Sequence, residues 1–478
     1  MLHLFHFDLK PRSNYGDAIL FELVRLLLDG YDDRERFLVT GSANLRHQVG
    51  AGRVRQVNQG YDAVVLGGGG LMLRSTNENR LSGWQWKVSI ADLEALTVPL
   101  VVFAIGYNRF EGEPDFDPIF AEHLNATVAK AAFFGLRNHA SIARVRDYLQ
   151  PELRDRLTFQ PCPTTVASYL VPDLYVPDLE PERRVGFQVT FEERNVLAGY
   201  NGDRVFAGLL DVARQLSGRG YALDVISHHP RDRRFHDRLR EHGVDARLVP
   251  LEGIERDIHD GLAYYGRLPL TIGMRGHGQM IPFGMGNGII SVATRDKLRW
   301  FADDIGHPEL AVDPRGDEWP GRVLDQVDAW FGDFAARRRE FASIRAGFWQ
   351  LSLDNLGRIS AALTGTAGER PFHAFSRYER ELALNAFTAA RLYDREVETS
   401  TRLRDELRAE RTRATAAERQ LARREAQLAR LPFYTAIRRA RSGSAHRGEW
   451  TGREPSPESG EREGNRPLSR VNGKGTVP

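Results

Sequence analysis

Short apolar runs alternate with longer stretches whose apolar residues recur at three- and four-residue spacing, beginning at the first residues of the chain. The runs predict strands over 2–7, 36–40, 63–66, 100–105 and 132–135, with a helix over 17–28 and another beginning near Ser141. A second cycle of the same kind predicts strands over 185–189, 222–226, 246–249, 270–273 and 288–292. Its helices fall over 203–216, 232–242, 253–266 and 276–284. Strand and helix in alternation mean a parallel sheet covered on both faces. Between the cycles stands Val171-Pro172-Asp173-Leu174-Tyr175-Val176-Pro177-Asp178, a proline-punctuated linker. The expectation is an α/β protein of two Rossmann-like, doubly wound domains, 1–170 and 180–335, facing each other across a cleft.

Residues 336–395 read as helical and packing back on this core. From 396 to 440 the chain carries Leu403, Leu407, Ala414, Ala417, Leu421, Leu428 and Leu431 on a seven-residue repeat that Glu410 and Arg424 interrupt, amid dense Arg and Glu. Two readings stay open there: a weak coiled coil, which would make a homo-oligomer, and a single solvated charged helix. Residues 441–478 hold almost nothing to bury and are expected to be disordered.

Composition narrows the class. The formal net charge of +2 argues against a dedicated nucleic-acid binder. Cys162 is the single cysteine, so no intrachain disulfide forms and a reducing, cytoplasmic setting fits. The first residues, Met1 to Phe7, lack a basic region and read as a strand rather than a signal peptide. No apolar run approaches the roughly 20 residues that span a bilayer. Among 66 Lys and Arg residues only Lys10, Lys87, Lys130, Lys297 and Lys474 are lysines, so a lysine in a suspected site carries weight.

Four stretches can carry chemistry. Ser13-Asn14-Tyr15-Gly16-Asp17 lies between the first strand and first helix, where open α/β sheets bind ligands; Asn14 and Asp17 could orient a hydroxyl or simply cap the helix. Gly67, Gly68, Gly69 and Gly70 follow the strand 63–66 and would let backbone approach an anion or a sugar, though they lack the Gly-Lys-Ser/Thr ending of a P-loop. Arg137, just past a buried strand, could hold a carboxylate or phosphate with its planar fork, or make an interdomain salt bridge. Arg275 and His277 open a helix while Lys297 follows the next strand, so all three meet on one rim of the second domain. An imidazole beside two fixed cations suits an anionic substrate that must gain or lose a proton. His228-His229 has no cysteine or carboxylate at metal-site spacing, and no metal is expected. Glu192-Glu193-Arg194-Asn195 could line the cleft or cap a turn.

At these residues the chain resembles the polysaccharide pyruvyl transferase family. The likeness runs through Asn14-Tyr15-Gly16-Asp17, the glycines 67–70, Gly135-Leu136-Arg137-Asn138 with Ser141, Arg275-Gly276-His277 and Asp296-Lys297, over roughly residues 10 to 310. Gly276 and Gly278 depart from the family pattern, in which a bulkier residue separates Arg from His and alanine often follows. The resemblance implies a GT-B-like arrangement of the two halves, phosphoenolpyruvate as donor, and a sugar diol as acceptor, whether lipid-linked, nucleotide-linked or polysaccharide. The product would be a pyruvate ketal in exopolysaccharide or cell-wall polysaccharide biosynthesis. It places Arg137, His277 and Lys297 at the donor, with Arg275 in the same turn. The chemistry of that donor suits His277 as general acid, or else as the group that stabilises the departing phosphate, and Asp17 as the group that positions or deprotonates the acceptor hydroxyl. No cofactor or metal is called for, since the cations neutralise the donor.

Two other functions compete: a GT-B glycosyltransferase using a nucleotide sugar, and a non-enzymatic scaffold acting through the charged C-terminal helix. The aromatic and basic stretch Leu431 to Arg441 adds an expectation of peripheral contact with the inner face of a membrane.

Overall fold

The computed structural model describes residues 1–383 apart from 10–13, 75–78, 110, 191–194, 197, 254–257 and 367–369, together with parts of 407–427. The chain divides into two compact units, Met1–Arg395 and Glu396–Pro478.

Within the first unit the alternating pattern builds two six-stranded parallel sheets. The first contains β1 (Leu2–Asp8), β2 (Phe37–Asn44), β3 (Ala63–Met72), β4 (Leu100–Tyr107), β5 (Ala131–Leu136) and β6 (Leu157–Phe159), in the order β2-β1-β3-β4-β5-β6. Its helices are α1 (Tyr15–Asp29), α2 (Ala51–Gly60), α3 (Ile90–Glu94), α4 (Pro118–Lys130), α5 (His139–Arg146) and α6 (Ala167–Leu170). The second contains β7 (Arg184–Gln188), β8 (Ala222–Ser227), β9 (Arg247–Pro250), β10 (Leu270–Gly273), β11 (Gly288–Val292) and β12 (Ala311–Val312), in the order β12-β11-β10-β7-β8-β9. Around it lie α7 (Gly202–Gly218), α8 (Arg234–Glu241), α9 (Ile258–Gly266), α10 (His277–Gly284) and α11 (Asp296–Asp304).

The predicted elements therefore stand, with one instructive difference. The glycines 67–70, placed by the sequence after the strand 63–66, continue that strand to Met72 and pair with β4. Gly67 and Gly69 have φ of +151° and +100°, and a Cβ on Gly67 would run into the Phe103 carbonyl oxygen. Lacking side chains, these residues let the ladder continue through dihedrals closed to others. The strand β4 answers with a left-handed Ala104, φ +52°.

After the second sheet come α12 (Trp319–Gly332) and α13 (Phe334–Thr364). The long α13 returns to the first sheet, where Asn355 Nδ2 donates to the Phe159 carbonyl at 2.9 Å and to Gln160 Oε1 at 3.0 Å. Arg338 donates to the carbonyls of Val176 and Pro177, pinning the linker. The next stretch closes on α1, Asp32 N donating to the Pro371 carbonyl and Arg380 holding both oxygens of Asp173 at 2.8 Å. In the second unit the described residues between 407 and 427 are helical and exposed. Leu403, Leu421, Leu428, Leu431 and residues 431–478 lie outside the described residues. Among the described residues no helix is long and apolar enough to cross a membrane.

Two buried histidines tie stability to pH. His123 accepts the Trp84 indole N–H at 3.0 Å, and burial lowers its pKa to about 4; burial, aided by the Arg275 charge, lowers that of His228 to about 3. Both refuse a proton that the unfolded chain accepts near pH 6.5. Their contribution is complete above about pH 6.5 and is lost as pH falls toward those values. The urea midpoint is expected to drop by a few kcal/mol equivalent between about pH 7.5 and 5, and His123→Asn to shrink that drop. A midpoint independent of pH would refute the account.

Candidate active site

Each sheet reverses its strand order once, and ligands bind at such reversals, outside the carboxyl ends of the strands. The first reversal lies between β1 and β3, the second between β7 and β10. The fold sets them face to face. Gly16 at the start of α1 lies so close to the start of α10 that an added Cβ would stand 2.6 Å from His277 Cβ.

On the first side, Asn14 caps the helix and holds Asp17. Its Oδ1 accepts from Gly16 N at 3.2 Å to cap α1, and its Nδ2 donates to Asp17 Oδ2 at 2.7 Å. Asp17 Oδ1 then lies 3.5 Å from His277 Nδ1. Burial raises the Asp17 pKa, while Lys297, Arg46, Arg275 and Arg137 pull it down. His277 is driven well below the usual imidazole value, first by burial and then by Arg137, Lys297, His228 and Arg275. Its Nε2 is buried and has no hydrogen-bond partner among the described residues.

Arg137 follows β5, its backbone N–H bonded to the Ile105 carbonyl and its residue only 6% exposed. Nε and one terminal nitrogen of the guanidinium are buried without partners among the described residues. Two glycines make room for it: a Cβ on Gly106 would strike Nε and stand 2.9 Å from Cζ, and one on Gly70 would lie 3.2 Å from Nη2. Of the glycine run, Gly70 alone faces this group. Gly68 packs on Leu20, while Gly67 and Gly69 serve the backbone path. A buried cation with donors to spare is costly unless an anion completes it. Neighbouring Asn138 caps α5 through Ser141 N at 2.7 Å, and Ser141 Oγ accepts from Tyr107 N at 3.0 Å, anchoring the turn. Cys162 sits near Arg137 with its thiol pushed up by burial and its sulfur 3.1 Å from Thr164 Oγ1.

Arg275 has a different place from the one its turn suggests. Its guanidinium grips Asp232 through two bonds of 3.1 and 2.7 Å and reaches Thr190 Oγ1 at 3.0 Å, while its N–H donates to Gln188 Oε1. It braces the turn and acts on His277 and Asp17 through its field rather than as an open fork. Gln188, Thr190 and Asp232 escape sequence reasoning, because an Asp between arginines in Pro230-Arg231-Asp232-Arg233 looks like solvated charge. Gln188 also accounts for Gly278: a Cβ there would lie 2.5 Å from Gln188 Oε1. Gly276 leaves space beside Lys297, whose Cε would be 3.7 Å from an added Cβ. Arg46 is likewise missed; its one signal is its position just past β2, and it donates to Gln85 Oε1 at 2.8 Å.

His228 and His229 are structural, the first 2.7 Å from the Tyr265 hydroxyl, the second capping a short turn by accepting from Arg231 N. Among the described residues no group of His, Cys, Asp and Glu could hold a metal ion. Glu192, Glu193 and Arg194 lie outside the described residues, while Asn195 donates to the Thr294 carbonyl.

The polysaccharide pyruvyl transferase family model matches residues 14–293, which hold the second strand reversal and every group in this cluster except Lys297. The chain belongs to that family. Its members are transferases that act in polysaccharide modification. No curated protein shows significant similarity to the chain. Among solved structures, the S. aureus MnaA–UDP complex is 12% identical with a TM-score of 0.50, over 79% of this chain and all of that one. A glycosyltransferase from Rickettsia africae is 11% identical with a TM-score of 0.45, over 76% of this chain and 99% of its own. At such identity the likeness is one of fold, a GT-B-like arrangement of two Rossmann-like halves.

Proposed function

We propose that this pyruvyl transferase moves the enolpyruvyl group of phosphoenolpyruvate onto two hydroxyls of one sugar, forming a pyruvate ketal. The observation that carries the reading is the buried, unsatisfied fork of Arg137 converging with Lys297 and Arg46 on the Asp17–His277 pair. A small enol bearing a carboxylate and a phosphate supplies negative charge that would complete the Arg137 fork.

The roles follow from the charges. Without donor, His277 is neutral. Donor anions offset the cations that depress it, raising its pKa so that it can take up a proton. Protonated His277 gives that proton to the methylene carbon while one sugar hydroxyl attacks C2 and loses its proton. The second hydroxyl then displaces phosphate from C2, its proton leaving with the phosphate, and the ketal closes. Asp17 steadies the imidazole through Nδ1 and receives the first hydroxyl proton.

The test is phosphate release from phosphoenolpyruvate by the full chain, offered a panel of lipid- and nucleotide-linked sugars. Release that depends on an added sugar supports the reading. Thermal stabilisation by nucleotide sugars, with none by phosphoenolpyruvate, would make the cleft that of a glycosyltransferase.

One substitution probes the fit. In Gly106→Ala the new methyl must displace the Arg137 guanidinium, so donor binding is expected to weaken about 10- to 100-fold while the fold persists. Donor affinity equal to wild type by isothermal titration would remove Arg137 from the donor site.

A further inference from the structure

In the turn Asn14-Tyr15-Gly16-Asp17, Asn14 caps α1, Gly16 passes close to His277 and Asp17 meets the imidazole, whereas the side chain of Tyr15 sinks into the second half and is only 2% exposed. Its backbone N–H donates to the His228 carbonyl at 2.9 Å, and its hydroxyl donates to the Ile258 carbonyl at 3.0 Å. Its ring meets the His228 imidazole edge-on, with centroids 5.3 Å apart at 62°. His228 is itself held by the Tyr265 hydroxyl at 2.7 Å. Burial, aided by the Asp260 charge, pushes the Tyr15 hydroxyl far above its ordinary value, so it stays a donor at any working pH.

Gly261 makes the socket for this ring. Inside α9 alanine would favour the helix more, yet a Cβ at Gly261 would collide with the Tyr15 hydroxyl and Cζ. The same seam continues along α1, where Glu22 Oε1 lies 3.5 Å from His259 Nε2. The socket is also tied to the catalytic turn. Asp232 accepts from the His228 N–H at 3.1 Å and from the Arg275 guanidinium at 3.1 and 2.7 Å, two residues before His277. On the other side, Asp17 stands two residues past Tyr15 on one helix.

We infer that Tyr15 is a positioning residue, a pin from the first half seated in the second, which fixes the approach of the halves at which Asp17 meets His277. Its effect on rate rests on the pyruvyl transfer reading above, whereas its effect on the contact between the halves does not.

The experiment follows Tyr15→Phe, Tyr15→Leu, Gly261→Ala and the double variant Tyr15→Leu/Gly261→Ala in the full chain, with thermal unfolding to confirm that each folds. Hydrogen exchange of the amides in α1 and α9 reads the contact between the halves, and sugar-dependent phosphate release reads the rate. In Tyr15→Leu the amides at the start of α1 should exchange about tenfold faster or more, since the N–H of residue 15 bonds across to His228. There kcat should fall about 10- to 100-fold. Affinity for phosphoenolpyruvate should change by less than about threefold, because the Arg137 fork lies within the first half. Tyr15→Phe keeps the ring on His228 and should recover most of the rate. Gly261→Ala displaces the ring and should slow the reaction by itself, yet add nothing to Tyr15→Leu, the non-additivity of two residues that act through one contact. Wild-type exchange or wild-type kcat in Tyr15→Leu, a loss of donor affinity as large as the loss of kcat, or an additive double variant would each overturn the inference. Should Tyr15→Leu fail to fold, Tyr15→Phe and Gly261→Ala carry the same test, and wild-type exchange and kcat in both would overturn it. A wild type that releases no phosphate with any sugar would sink the pyruvyl transfer reading, while exchange still judged the pin.

Discussion

Replacing His277 with glutamine is expected to slow sugar-dependent phosphate release by about 10²- to 10⁴-fold while phosphoenolpyruvate still binds. Glutamine keeps a polar group near the Asp17 carboxylate, but it cannot carry the proton that the methylene carbon needs. Because the imidazole is neutral in the empty site, its loss removes no charge from the donor cluster. The pH profile supplies a check that a merely structural role would not meet. A donor-bound His277 must be protonated to act, so kcat falls as pH rises through its pKa in the complex. That value lies above the strongly depressed one of the free protein, because the donor's charge opposes Arg137 and Lys297. In His277→Gln this alkaline limb should vanish from the residual rate. A variant with near-wild-type kcat, or one that keeps the limb, would exclude His277 as the general acid.

The second large effect sets stability against function. Arg137→Met places an apolar side chain of similar length where a guanidinium lies buried with two unpartnered nitrogens. Removing an uncompensated charge from the interior is expected to raise the stability of the ligand-free protein by at least about 1 kcal/mol. The same change deletes the fork that holds the donor, at a cost of about 2 to 5 kcal/mol, roughly 30- to several thousand-fold in donor affinity. Thermal unfolding with and without phosphoenolpyruvate reads both: a higher midpoint without ligand, and a ligand-induced rise that disappears. Arg137→Lys keeps the charge but loses the two-pronged geometry, and should recover only part of the binding. A destabilised Arg137→Met that still responds to phosphoenolpyruvate would make this arginine a structural brace.

What the sequence by itself determined is local. Apolar spacing placed five strands of each sheet, all but the short edge strands β6 and β12, because burial periodicity is written within a few neighbouring residues. Asn14 and Asn138 marked helix starts because an amide side chain satisfies free N–H groups only there. The motifs pointed to Asp17, Arg137, His277 and Lys297, which the fold brings together at the two facing strand reversals.

The tertiary structure alone decided how those groups are used. Asp17 and His277 stand far apart in the chain, and their 3.5 Å approach depends on how one sheet faces the other. Among so many arginines nothing local separates Arg275, neutralised by Asp232, from Arg137, left with spare donors, or singles out Arg46. The difference lies in which carboxylate strand order and domain approach set beside each one. The glycine run shows the same limit, since only the pairing of β3 with β4 reveals Gly67 as clearance for a carbonyl and Gly70 as clearance for a guanidinium. Backbone preference is a property of neighbouring residues, whereas the balance of charge at a buried site is a property of elements that meet only after folding.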